Sequence, residues 1–141
     1  MCKLANEKSF VTTRPLKVWK VMLVDFEPDE PEVITPLIGV REEEMKRPAK
    51  GYFVVQGNQS VWANGGYSAF LAEELAFKWL ADVSKSFGGP MLSPVRRLGF
   101  PTVRKYLIPK GSTVFYGRIS EGLPGAGLKC VRAERLVRVG G

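Results

Sequence analysis

Leu16-Lys17-Val18-Trp19-Lys20-Val21-Met22-Leu23-Val24-Asp25 carries apolar residues on both of its alternating faces. Side chains alternate across a strand with period two, so a strand apolar on both faces is covered on both sides. The stretch reads as a central strand, and that reading sets the fold class. Downstream, Phe26-Glu27-Pro28-Asp29-Glu30-Pro31-Glu32 is an acidic loop whose two prolines forbid continued pairing. Val33-Ile34-Thr35 then reads as a short edge strand. Tyr52–Gln56 and Ser60–Ala63 form a second strand pair, with Gly57-Asn58 between them as turn chemistry.

One helix is expected, from about Leu71 to Phe87. Leu75, Ala76, Trp79, Leu80, Val83 and Phe87 fall on one stripe at helical spacing, which marks them as core residues. Glu73 and Glu74 suit its first turn, Lys85 its last, and Gly88-Gly89-Pro90 ends it. Glu42-Glu43-Glu44-Met45-Lys46-Arg47, stopped by Pro48, reads as a solvated turn or one to two helical turns. The C-terminal part is β: Val103 to Ile108, a turn at Pro109-Lys110-Gly111-Ser112, Thr113 to Ile119, a Gly/Pro-rich loop, and a last strand from Lys129 to Val139. The expected fold is α+β in a single domain spanning residues 1–141. It is a mainly antiparallel sheet of roughly 5–7 strands with one long amphipathic helix packed on a face.

Composition narrows the chemistry. Residues 1–60 balance 9 Lys/Arg against 9 Asp/Glu, whereas residues 61–141 carry 12 against 5, so the formal net charge of +7 arises in the second part. A field of one sign raises the local concentration of oppositely charged partners. The chain has no histidine, which removes the commonest general base and every Ser-His or Cys-His nucleophile pair. Cys2 and Cys130 are far apart and are read as reduced thiols; as the only soft ligands in a chain without histidine they leave no zinc site, and no cofactor is expected. No apolar run approaches the roughly 18 residues of a membrane span. The polar N-terminus lacks a signal-peptide core, so a cytoplasmic protein with no membrane partner is expected.

The candidate binding residues are Arg96, Arg97, Arg104, Lys105, Lys110, Arg132 and Arg135. Arg96 and Arg97 lie in the long Gly- and Pro-rich segment Gly88–Thr102, and loops of that length usually have a function. Alternation puts Arg104 and Lys105 on opposite faces, so the set cannot be one patch. In the last strand Arg135 shares a face with Val131, Ala133, Val137 and Val139. That requires either a bulge or an inward arginine with a partner. Gly122-Leu123-Pro124-Gly125-Ala126-Gly127 lacks the Lys-Ser/Thr of a phosphate loop and leads into a strand, so it reads as a hairpin loop.

Met1-Cys2-Lys3-Leu4, Val18-Trp19-Lys20-Val21, Gly65-Gly66-Tyr67-Ser68-Ala69-Phe70 and Ile108-Pro109-Lys110-Gly111-Ser112 are arranged as in small accessory proteins of phages and mobile elements, which the chain resembles. The resemblance implies an accessory role such as host takeover or the blocking of a host defence. A second likeness is to the ADP-ribosyltransferase fold. It rests on Gly66-Tyr67-Ser68, a helix with Glu73, Glu74 and Ala76, a Pro-Lys-Gly turn and a terminal strand with Glu134. Here the family's first-strand Arg or His is replaced by Trp19-Lys20, and the first of its paired acids by Arg132. That likeness implies a shared architecture and, as an alternative function, NAD binding. The expected function is a non-catalytic protein that binds an anionic target through its basic C-terminal half. The target would be an acidic face of a host protein, a nucleic acid or a nucleotide. A phage structural component is the third reading.

Overall fold

The computed structural model describes residues 4–25, 33–35, 40–47, 52–56, 59–63, 66–87, 99–122 and 125–139. Its strands are β1 (Leu4–Val11), β2 (Leu16–Asp25), β3 (Val33–Ile34), β4 (Tyr52–Gln56), β5 (Gln59–Ala63), β6 (Tyr67–Ala69), β7 (Gly99–Ile108), β8 (Thr113–Ile119), β9 (Lys129–Ala133) and β10 (Val137–Arg138). A 3₁₀ turn covers Glu42–Lys46, and the helix α1 covers Glu73–Phe87. The fold is α+β, as expected, but its strands are shared between two four-stranded sheets and a hairpin. The sheet orders are β1-β8-β9-β6 and β10-β7-β2-β3, with β4-β5 as the hairpin, and every pairing is antiparallel.

β2 is central, as its two apolar faces require. One edge pairs with β7 over its full length, from Leu16↔Ile108 to Asp25↔Gly99. The other edge pairs with β3 at Leu23 and Val24 and then, at Trp19, with Phe70 just beyond β6. Trp19 and Phe70 exchange both backbone hydrogen bonds at 2.7 Å, which joins the two sheets edge to edge. Val18 and Met22 on one face of β2 pack with Tyr106, Ile108, Val114, Val131 and Ala133, between the sheets. Val21 and Leu23 on the other face pack with Ala76, Trp79 and Val83 of α1. The helical stripe thus faces the core at Ala76, Trp79 and Val83, with Leu75 and Leu80 half-buried at its margin.

Chain crossings between sheets replace some expected continuities. The Pro109–Ser112 turn does not close a hairpin but carries the chain from β7 in one sheet to β8 in the other. Thr12 clasps this turn: its hydroxyl donates to the Pro109 carbonyl at 2.8 Å and accepts from the Ser112 N–H at 3.0 Å. The expected single strand Lys129–Val139 is two strands in different sheets. The chain leaves β9 after Ala133, Leu136 is buried, and β10 pairs with β7. The break removes the conflict at Arg135, because a strand continued in register would have driven a charge into the core. The Gly-rich loop does close a hairpin, β8–β9, with Gly122, Gly125 and Gly127 at positive φ.

Candidate functional site

Arg104 and Lys105 lie on opposite faces of β7. The Arg104 Nη1 sits 3.5 Å from the Glu42 carboxylate, and the Lys105 Nζ lies 5.6 Å from the centre of the Trp19 ring. Lys110 is exposed in the turn clasped by Thr12. Arg132 is 6% exposed, with its guanidinium over the Phe115 ring at 5.4 Å, and Arg135 is half-buried in the crossover from β9 to β10. Arg96 and Arg97 lie outside the described residues. The described candidates therefore do not converge on one surface: Arg104 and Arg132 serve internal contacts. Of the positions aligned by the ADP-ribosyltransferase likeness, Lys20 donates to the Ser68 carbonyl at 2.6 Å, and Glu134 is exposed. Cys130 is buried, and its thiol donates to the Ala69 carbonyl at 3.4 Å.

Glu42 anchors a polar cluster that the sequence reading assigned to a solvated charge run. Its carboxylate accepts a hydrogen bond from the Tyr106 hydroxyl at 2.5 Å and lies 3.4 Å from Arg138 as well as 3.5 Å from Arg104. The reason lies in 3₁₀ geometry, where residues i and i+3 eclipse. Met45 is fully buried, so Glu42, three residues before it, turns to the same inward side while Glu43 and Glu44 stay exposed. The Leu136 N–H donates to the Met45 carbonyl at 2.9 Å and closes the turn onto the crossover. Burial pushes the Tyr106 phenol far above its ordinary range, and the hydrogen bond to Glu42 and that residue's charge add to the effect. Tyr67 is raised too, by burial and then by Glu44. Tyr106 is thus a neutral donor held by an occupied carboxylate, an arrangement suited to fastening the turn.

A second group of residues was legible only from the pairing register. Tyr116 lies opposite Lys8 on one side and Val131 on the other, and Arg118 lies opposite Lys129. Phe10, opposite Val114, stacks edge-on against Tyr116 with ring centres 5.6 Å apart. A bulge between Ala5 and Lys8 shifts β1 so that Lys8 and Phe10 share a face with Tyr116 and Arg118. Toward β6 this face is covered: Val114, Val131 and Ala133 are buried in the core between the sheets. Toward β1 and the Arg118 end it is open. Phe10 and Tyr116 are each 39% exposed, and Lys8, Arg118 and Lys129 are exposed around them. The Arg118 Nη1 donates to the Gly127 carbonyl at 3.0 Å, which steadies its guanidinium at the edge of the patch.

No protein-family model, curated protein or solved structure matches the chain. Among the described residues no group of three or more His, Cys, Asp or Glu is placed to hold a metal ion, and no helix is long and apolar enough to cross a membrane.

Proposed function

We propose that this chain is a non-catalytic binding protein of the phage or mobile-element accessory type, and that it engages an anionic target through the open face of β1, β8 and β9. The observation that carries the reading is the uncovered end of an otherwise buried sheet face, where Lys8, Arg118 and Lys129 lie around Tyr116 and Phe10 follows beyond it. A basic patch beside exposed rings gives both long-range attraction and short-range contact. The internal roles of Arg104 and Arg132 move the binding surface away from β7 and the middle of β9. Two of the three cations, Arg118 and Lys129, still come from the basic C-terminal half.

The test is polyanion binding by the full chain on a heparin matrix. Wild type should be retained and released by salt. The Lys8→Glu, Arg118→Glu, Lys129→Glu variant should lose at least about tenfold in affinity with unchanged circular dichroism, and its salt dependence should flatten. Equal retention of the triple variant would overturn the assignment of this face. Loss on Arg96→Glu with Arg97→Glu instead would move binding to that segment.

A further inference from the structure

We infer that the anionic target is single-stranded nucleic acid, with Phe10 and Tyr116 stacking bases while Lys8, Arg118 and Lys129 take phosphates. The inference rests on the proposed binding face and deepens it. A face meant only for charge would gain nothing from leaving two aromatic rings in water. Exposed rings beside a basic patch meet the two needs of a single strand, a track for the backbone and platforms for unpaired bases. A duplex presents phosphates but keeps its base faces stacked on one another, so the rings would find no partner there.

The spacing agrees. Residues two apart along a strand are about 6.8 Å apart, and neighbouring strands are about 4.8 Å apart. Lys8 therefore lies one strand away from Tyr116, and Arg118 lies two residues along, so cations flank the ring on two sides. Phe10 continues the line beyond Tyr116, with ring centres 5.6 Å apart. The rings meet edge to face at 62°, so bases stacked on both could not lie parallel, and the strand must turn between them. Acidic side chains offer the charge but no aromatic plane, whereas every unpaired base carries one. Sheet faces carrying aromatic residues are a recurrent platform for unpaired bases.

The experiment is fluorescence anisotropy of the full chain with a labelled oligo-dT, its oligo-U counterpart, a duplex of equal length, and poly-glutamate as an acidic polymer without bases. The single strands should bind about tenfold or more tighter than the duplex or poly-glutamate. Their log-log salt slope should be about −2, as three phosphate contacts require. Phe10→Ala and Tyr116→Ala should each weaken single-strand binding roughly tenfold at an unchanged salt slope, whereas Tyr116→Phe retains binding. Unchanged circular dichroism and melting of each variant separate lost contacts from lost fold. Equal affinity for single strand, duplex and poly-glutamate, with no effect of the ring substitutions, would overturn the inference while leaving the anion-binding face in place. Failure to bind any of these polymers would overturn both.

Discussion

Tyr106 and Glu42 illustrate how one hydrogen bond depends on where a neighbouring methionine goes. Burying Met45 brings Glu42 inward, and Glu42 must then find donors, since a desolvated carboxylate without them is costly. Tyr106, Arg104 and Arg138 supply them. Tyr106→Phe should lower stability in urea by about 1–2 kcal/mol at neutral pH, because it leaves the carboxylate one donor short. It should also change the response to alkali. The phenol's proton is held in the folded state above its ordinary value of 10.0 and released in the unfolded state. Above about pH 10 the folded chain therefore binds more protons than the unfolded chain, and stability falls as pH rises. That alkaline fall should be shallower in Tyr106→Phe, with the part due to Tyr67 remaining. Equal slopes in the two proteins would show that Tyr106 does not keep its proton on folding.

At the scale of elements, α1 is tied to the β8–β9 loop at one close approach. The Gly125 N–H donates to the Asp82 carboxylate, and a Cβ on Gly125 would lie 2.4 Å from Cδ1 of Trp79. With φ at 77°, Gly125 also occupies a backbone region that costs other residues about 1–2 kcal/mol. Gly125→Ala should therefore destabilise by about 2–4 kcal/mol, strain and overpacking combined, with a matching fall in the urea midpoint. A change below about 0.5 kcal/mol would mean that the loop relaxes away from the indole. Elements whose pattern is strong were readable beforehand. β2, β8 and α1 have clear periodicity and boundaries, β3 is marked by apolar residues following the acidic, proline-bearing stretch, and the hairpin β4–β5 has its turn residues. β1 was not legible, because its bulge shifts the period between Ala5 and Lys8 and hides the alternation. β6 is too short to show a pattern. β7 reaches back to Gly99 through Pro101, opposite Leu23, where β10 does not extend and no N–H is needed on the outer edge.

For the whole molecule, β2 is the shared wall of both core regions. Met22→Ala should cost about 2–5 kcal/mol and lower both sheets' stability together, giving one urea transition by fluorescence and circular dichroism. Two separated transitions would show that the sheets unfold independently. The charge imbalance was visible from composition alone, but its placement was not. Alternation separates Arg104 from Lys105, yet only pairing register reveals that Lys8, from the balanced first part of the chain, joins Arg118 and Lys129. Contacts between residues about a hundred positions apart, such as Thr12 with Ser112, leave no local trace. The bulge in β1 has one more consequence. β1 ends its sheet, and an outermost strand is a template on which further copies of a chain can add and grow into fibrils. An extra residue breaks the regular row of donors and acceptors such growth requires, and Lys8 places a charge beside the break. The irregularity that aims Lys8 and Phe10 at the open face thus also guards the protein against self-assembly.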